Sequence, residues 1–245
     1  MDYLLSIRDW VYDLIFPIRC LGCNRFPKTK KDGYLCQHCF VSIPIKRSTE
    51  CIGCKRPVPF GKTCFFCAAE NPLDHLFIVS NYDHPLISKL ITYYKYKFIE
   101  DIADPLVRLT KKYLKQLSKH KNFSLFESNP LIISVPLSQR RLNWRGFNQS
   151  ELIAKSIADF FQLRFNPGIL HRTKSVTSQV MIADRDKRLQ NVKGVFACSN
   201  SSLIQNQTII IIDDICTTGA TLNECARILK ANGAKNVIGL VIARG

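Results

Sequence analysis

Two sets of residues in this chain have the types and spacing that chemistry requires. The first is the run IIIIDDICTTGATL, from Ile209 to Leu222. Asp213 and Asp214 offer carboxylate oxygens that accept hydrogen bonds from neutral hydroxyls. Thr217, Thr218, Gly219, Ala220 and Thr221 then form a turn into a helix. Gly219 lets the backbone approach a ligand closely, the helix start aims free N–H groups at an anion, and the threonine hydroxyls add donors. Carboxylates repel a phosphate placed against them, so the acids and the anion belong a sugar's width apart. The array reads as a cradle for a ribose 5-phosphate.

The second set is sulfur. Eight of the eleven cysteines fall in four C-x-x-C pairs: Cys20 with Cys23, Cys36 with Cys39, Cys51 with Cys54, and Cys64 with Cys67. Two thiolates two residues apart share one tetrahedral ion, and a further pair completes a four-sulfur site. Sequential use gives two zinc ribbons, one from Cys20, Cys23, Cys36 and Cys39 and one from Cys51, Cys54, Cys64 and Cys67; a crossed pairing satisfies the spacing equally. Gly22 and Gly53 suit tight knuckles. Disulfides are the alternative, but the opening MDYLLSIRDW lacks the basic start and apolar core of an export signal. Closed four-cysteine sites leave no position for water, so the expected zinc is structural. Cys198, Cys216 and Cys225 read as reduced thiols.

These groups need elements to hold them. Four aliphatic residues before Asp213 suit a strand buried on both faces of a parallel sheet, with the acids where the strand ends. Leu131 to Val135 is a second short buried strand, and it delivers the chain into PLSQRRLNWRGFNQS, Pro136 to Ser150, ahead of a helix beginning near Asn148. In that loop Arg140, Arg141 and Arg145 present forked donors suited to a pyrophosphate, the alternative being a solvated basic loop. After residue 70 apolar strands alternate with helix-like stretches, the pattern of an α/β domain with a parallel sheet and flanking helices. The expected organisation is an amphipathic helix over 1–18, a double zinc ribbon over 19–70 and the α/β domain over 71–245. The ribbon segment has too few apolar residues to fold without its metals.

The chain has 245 residues and a formal charge of +16. Eight thiolates and two zinc ions would bring this to about +12, still strongly basic, and such a field draws polyanions. No apolar run is long enough to span a bilayer, which leaves nucleic acid as the leading macromolecular partner. In the run from Tyr93 to Phe98, aromatic faces alternate with Lys95 and Lys97; Ile87, Leu90, Ile91 and Tyr94 share an apolar helical face, so part of the run is expected in the core and at least one exposed ring on DNA bases, with Tyr96 as the candidate contact. The segment from His171 to Arg188 is polar and basic, and Arg172, Lys174, Gln179, Arg185 and Arg188 could meet pyrophosphate or a DNA backbone. Asn191 and Gly194, in NVKGVF, are expected at the return to a core strand. No G-x-x-x-x-G-K-[ST] stretch occurs, which argues against an ATP-driven motor.

The Asp-Asp and Thr-Thr-Gly-Ala-Thr order resembles the phosphoribosyl pyrophosphate (PRPP) motif of type I phosphoribosyltransferases. That resemblance implies that Asp213 and Asp214 hold the ribose hydroxyls, that Thr217 to Thr221 hold the 5′-phosphate, that magnesium accompanies the pyrophosphate, and that 171–188 is a loop closing over the site. Cys216 stands where an aliphatic residue is usual. Over most of the chain, VPLSQRR, RGFNQSELIA, SQVMIADRDKRLQNVKGVF and DDICTTGATL resemble the competence protein F family, also called the ComF or GntX-like group. The family implies a double zinc ribbon before a phosphoribosyltransferase-like domain, and a cytoplasmic role with incoming single-stranded DNA in natural transformation, beside a helicase-like partner. Three functions compete: a DNA-handling protein that binds PRPP or a related ribose phosphate, an active transferase, and a zinc-stabilised adaptor. No general base stands out and no segment is recognisable as reading an acceptor ring.

Overall fold

The computed structural model describes residues 18–27, 32–97, 99–119, 125–173 and 192–245. The expected helix over 1–18 lies almost wholly outside them. Five parallel strands form the main sheet, in the order β1-β7-β6-β2-β3, from His75–Asn81 (β1), Leu131–Ser134 (β2), Arg164–Phe165 (β3), Thr208–Cys216 (β6) and Asn236–Arg244 (β7). Leu170–Arg172 (β4) and Phe196–Cys198 (β5) make a separate antiparallel pair. NVKGVF therefore leads into a small hairpin rather than a strand of the main sheet, because Phe196 pairs with Arg172 in a chain reversal.

The four isoleucines ahead of the acids show why β6 is central. Ile210 and Ile212 pack on one face of the sheet, and Ile209 and Ile211 on the other. All four are almost fully buried; complete burial of each contributes about 1.5–3 kcal/mol. One face is covered by Pro85–Tyr96 (α3), Ala103–Leu117 (α4) and Gln149–Phe161 (α6). The opposite face is covered by Ala220–Ala231 (α7) and the β4–β5 hairpin. Ile87, Leu90, Ile91 and Tyr94 are the buried residues of α3, the face that helical spacing predicts. β6 keeps its register with β7 as far as Cys216 opposite Arg244, so Asp213 and Asp214 lie inside the strand, which ends two residues after them.

The cysteine-rich segment lies along β1, the edge of the sheet. The Lys46 N–H donates to the Val79 carbonyl, Ser80 Oγ donates to the Pro44 carbonyl, and Lys62 bridges His75. This covers strand groups that an open edge would leave unpaired. Short helices Gln37–Ser42 (α1) and Phe65–Ala68 (α2) follow the third and seventh cysteines of the four pairs. Cys20, Leu35, Cys39, Phe40 and Ile43 join the core on the α4 face, whereas Ile52 joins the core on the α7 face.

Candidate functional site

Gln139–Arg145 (α5) and α6 are set by local caps. Ser138 Oγ accepts from the Arg141 N–H at 3.3 Å, Gly146 closes α5 in the left-handed region at φ 79°, and Asn148 accepts from the Ser150 N–H at 3.2 Å. This sequence of caps carries Ser150 to the acid pair. Ser150 Oγ donates to Asp213 Oδ1 at 3.0 Å, and the Asp214 N–H donates to the same oxygen at 2.9 Å. Lys95, at the end of α3, reaches Asp214 Oδ1 at 2.8 Å. Burial pushes the Asp213 carboxyl up to about 7 and the charge of Asp214 adds to this, while Lys95, the Asp214 N–H and Ser150 pull the other way.

The end of α3 is fastened to α6. Tyr94 Oη donates to the Gln149 carbonyl at 3.0 Å, and Gln149 Nε2 donates to the Tyr94 carbonyl at 3.4 Å. Arg145 Nη1 donates to Gln149 Oε1 at 2.9 Å. The three arginines expected to act together therefore separate: Arg140 and Arg141 are exposed on α5, and Arg145 is buried. Lys95, read as a cation beside stacking rings, is paired with Asp214; Tyr96 is exposed.

Thr217, Thr218 and Gly219 connect β6 to α7, whose first residues are Ala220 and Thr221. Gly219 has φ +83°, and a Cβ there would come within 2.7 Å of Ile52. Thr218 Oγ1 accepts from the Ala220 N–H at 3.3 Å. Arg172 lies over the Phe196 ring at 5.2 Å, and its Nε is buried with no partner among the described residues. Lys174, Gln179, Arg185, Arg188 and Asn191 lie outside those residues.

The cysteines resolve into the sequential arrangement. Cys20, Cys23, Cys36 and Cys39 form one group and Cys51, Cys54, Cys64 and Cys67 the other, with the sulfurs of each within 4.8 Å of one another. Separations of 3.6 Å for Cys20 to Cys36, 3.8 Å for Cys23 to Cys36 and 3.8 Å for Cys54 to Cys64 match the edge of about 3.8 Å that tetrahedral zinc–sulfur bonds require. The N–H groups of Cys36 and Cys64 donate to Cys20 Sγ and Cys51 Sγ, each at 3.4 Å. Burial alone would raise these two thiols; backbone donors outweigh it and bring each down to about 6. These are two zinc-binding sites of a double zinc ribbon.

The second ribbon is tied to the turn at Gly219 by residues that sequence inspection did not single out. Ile52 lies between Cys51 and Cys54 and packs against Gly219. Asn223, in the first turn of α7, donates to Asn71 Oδ1 at 2.7 Å and accepts from the Leu73 N–H at 3.3 Å. Arg244 Nη1 donates to Glu50 at 2.9 Å and to the Cys51 carbonyl at 3.2 Å, and its Nη2 donates to the Ile52 carbonyl at 2.6 Å. The only signal for Arg244 was a charged residue closing an apolar strand.

Residues 11–68 match the double zinc ribbon domain family, and 164–245 match the phosphoribosyl transferase domain family. The chain is 32% identical to the DNA utilization protein YhgH of Escherichia coli O6:H1 over 219 residues, 89% of this chain and 86% of that protein. It is 26% identical to competence protein F of Haemophilus influenzae, across 84% of this chain and 94% of the relative. Competence protein ComFC of Streptococcus pneumoniae is 31% identical over 58% of this chain and 57% of its own length. Among the described residues, no helix is long and apolar enough to cross a membrane.

Proposed function

Because this chain belongs to the competence protein F (ComF/GntX-like) family, in which a double zinc ribbon accompanies a phosphoribosyltransferase-like domain, we propose that it takes part in DNA uptake by handling single-stranded DNA in the cytoplasm, and that its phosphoribosyltransferase-like domain binds PRPP or a related ribose phosphate. The observation that carries the ligand reading is the acid pair in β6 followed directly by the threonine turn and the start of α7. In this reading Asp213 and Asp214 accept from the ribose 2′- and 3′-hydroxyls, and Thr217 to Thr221 enclose the 5′-phosphate. Arg140 and Arg141 face the pyrophosphate, and buried Arg145, held by Gln149, adds positive charge nearby. Magnesium would enter with PRPP and neutralise its pyrophosphate. Lys95 must leave Asp214, or share it, when a diol binds.

The elevated Asp213 carboxyl gives the ligand reading a pH signature. An acceptor role needs the ionised form, which is a minority below pH 7 and the majority above it. Affinity for magnesium PRPP should rise about ten-fold between pH 6 and pH 8 through this group. Calorimetry beside Asp213→Asn separates this gain from the ligand's own titration. Equal slopes for both proteins would remove Asp213 from the site.

The basic charge supports the DNA reading, whose test is salt. Binding of a fluorescent single strand should weaken steeply between 50 and 200 mM salt, with a log–log slope of about −0.7 per phosphate contacted. A flat response, or no binding, would sink it. The intact acid pair and threonine turn also favour a second reading, an active transferase in which an acceptor attacks the anomeric carbon as pyrophosphate leaves. PRPP-dependent pyrophosphate release across a panel of nucleobases and amines tests it, and silence throughout would count against it. A helicase-like competence protein is the proposed protein partner, to be sought by co-purification.

A further inference from the structure

Large aromatic side chains at a protein surface are costly to leave in water unless something covers them. Tyr96 is 54% exposed at the end of α3 and Trp144 is 55% exposed on α5. Although 48 positions apart in sequence, their rings meet with centroids 6.1 Å apart, tilted by 60°. The Arg145 guanidinium lies behind both, 5.8 Å from the Tyr96 centroid and 6.0 Å from that of Trp144. One edge of that guanidinium is held by Gln149; its Nε is buried and has no hydrogen-bond partner among the described residues. Lys97, Arg140 and Arg141 are exposed on the same two helix segments. The patch adjoins the acid pair, since Lys95, next to Tyr96, is bound to Asp214.

We propose that Tyr96 and Trp144, backed by Arg145, form a base-stacking platform for single-stranded nucleic acid immediately beside the acid pair. The proposal rests on the single-strand reading above and gives it a place and residues. Every base has a π-face, so stacking accepts any sequence, and surrounding cations meet the phosphates between stacked bases. An apolar protein segment would also cover two rings, but it has no use for Lys97, Arg140 and Arg141 around them. Buried Arg145 fixes the rings' orientation by cation–π contact and carries positive potential towards the strand.

The chain's two tryptophans, Trp10 and Trp144, make the test direct. A Trp10→Phe protein leaves Trp144 as the sole indole. It is titrated at low salt with a 5′-phosphorylated oligothymidylate of about 12 nucleotides and with an abasic strand of equal length. Binding is followed by anisotropy of end-labelled strands, and tryptophan emission with unlabelled ones. The thymidylate strand should quench Trp144; the abasic strand should bind through its phosphates and leave emission nearly unchanged. Tyr96→Ala, a change at an exposed side chain, should weaken the thymidylate strand about ten-fold and reduce the preference for it over the abasic strand. Thymidylate that binds by anisotropy without quenching Trp144 overturns the platform and leaves the single-strand reading standing. Failure of any strand to bind overturns both.

Discussion

Cys64→Ser should lower bound zinc from about two ions per chain to about one and raise the Kd for magnesium PRPP at least ten-fold, although Cys64 belongs to neither the acid pair nor the threonine turn. The reason is the wall against which Gly219 is built. Gly219 sits at φ +83° against Ile52, and Ile52 is held in the knuckle between Cys51 and Cys54. The other knuckle holds Asn71 through the Cys67 carbonyl at 2.9 Å, and Asn71 accepts from Asn223 at the start of α7. A structural zinc site supplies on the order of 10–16 kcal/mol of apparent binding free energy, so its loss releases the knuckles and both contacts with the turn. Cys36→Ser should also cost one ion and unfold its own ribbon. That ribbon packs on the α4 face, however, and the turn should suffer less. Metal analysis and calorimetry on the two variants check this; a Cys64→Ser protein that lacks zinc and binds PRPP normally would show that the turn stands alone.

Arg244→Ala should destabilise the protein by about 3–5 kcal/mol. Arg244 is 6% exposed and its guanidinium serves Glu50 and the carbonyls of Cys51 and Ile52. Truncation leaves those acceptors buried and removes the tie between the last strand and the second ribbon. Glu50 keeps Lys46, which limits the cost at the carboxylate. Arg244→Lys should rescue little, because one ammonium cannot reproduce a fork that spans three acceptors. Chemical denaturation of zinc-loaded protein provides the measurement. A loss below about 1 kcal/mol for the alanine variant would mean that the ribbon is held by its other contacts.

Most of the framework was legible because it depends on local pattern. The aliphatic run of β6, the apolar face of α3 and the cysteine spacing each follow from a period or a ligand geometry that a few neighbouring residues establish. What escaped was long-range. Nothing near Lys95 in sequence announces Asp214, and nothing near Ser150 announces Asp213; the fold brings both pairs together, with Tyr94 and Gln149 fastening α3 to α6 beside the acids. Trp144 and Tyr96, far apart in sequence, likewise meet only in the fold. Two adjacent carboxylates suggest the end of a strand, whereas backbone pairing with β7 carries β6 on to Cys216.

The central claim is that the acids in β6 and the turn after them form a sugar-phosphate site. Calorimetric titration of the zinc-loaded protein with magnesium PRPP, beside an Asp213→Asn, Asp214→Asn double variant, tests it most directly. The account predicts saturable one-site binding in the wild type, weakened at least a hundred-fold, about 2.7 kcal/mol, in a variant that keeps its zinc and its fold. Absence of binding to folded wild type, or equal affinity in the variant, would contradict it.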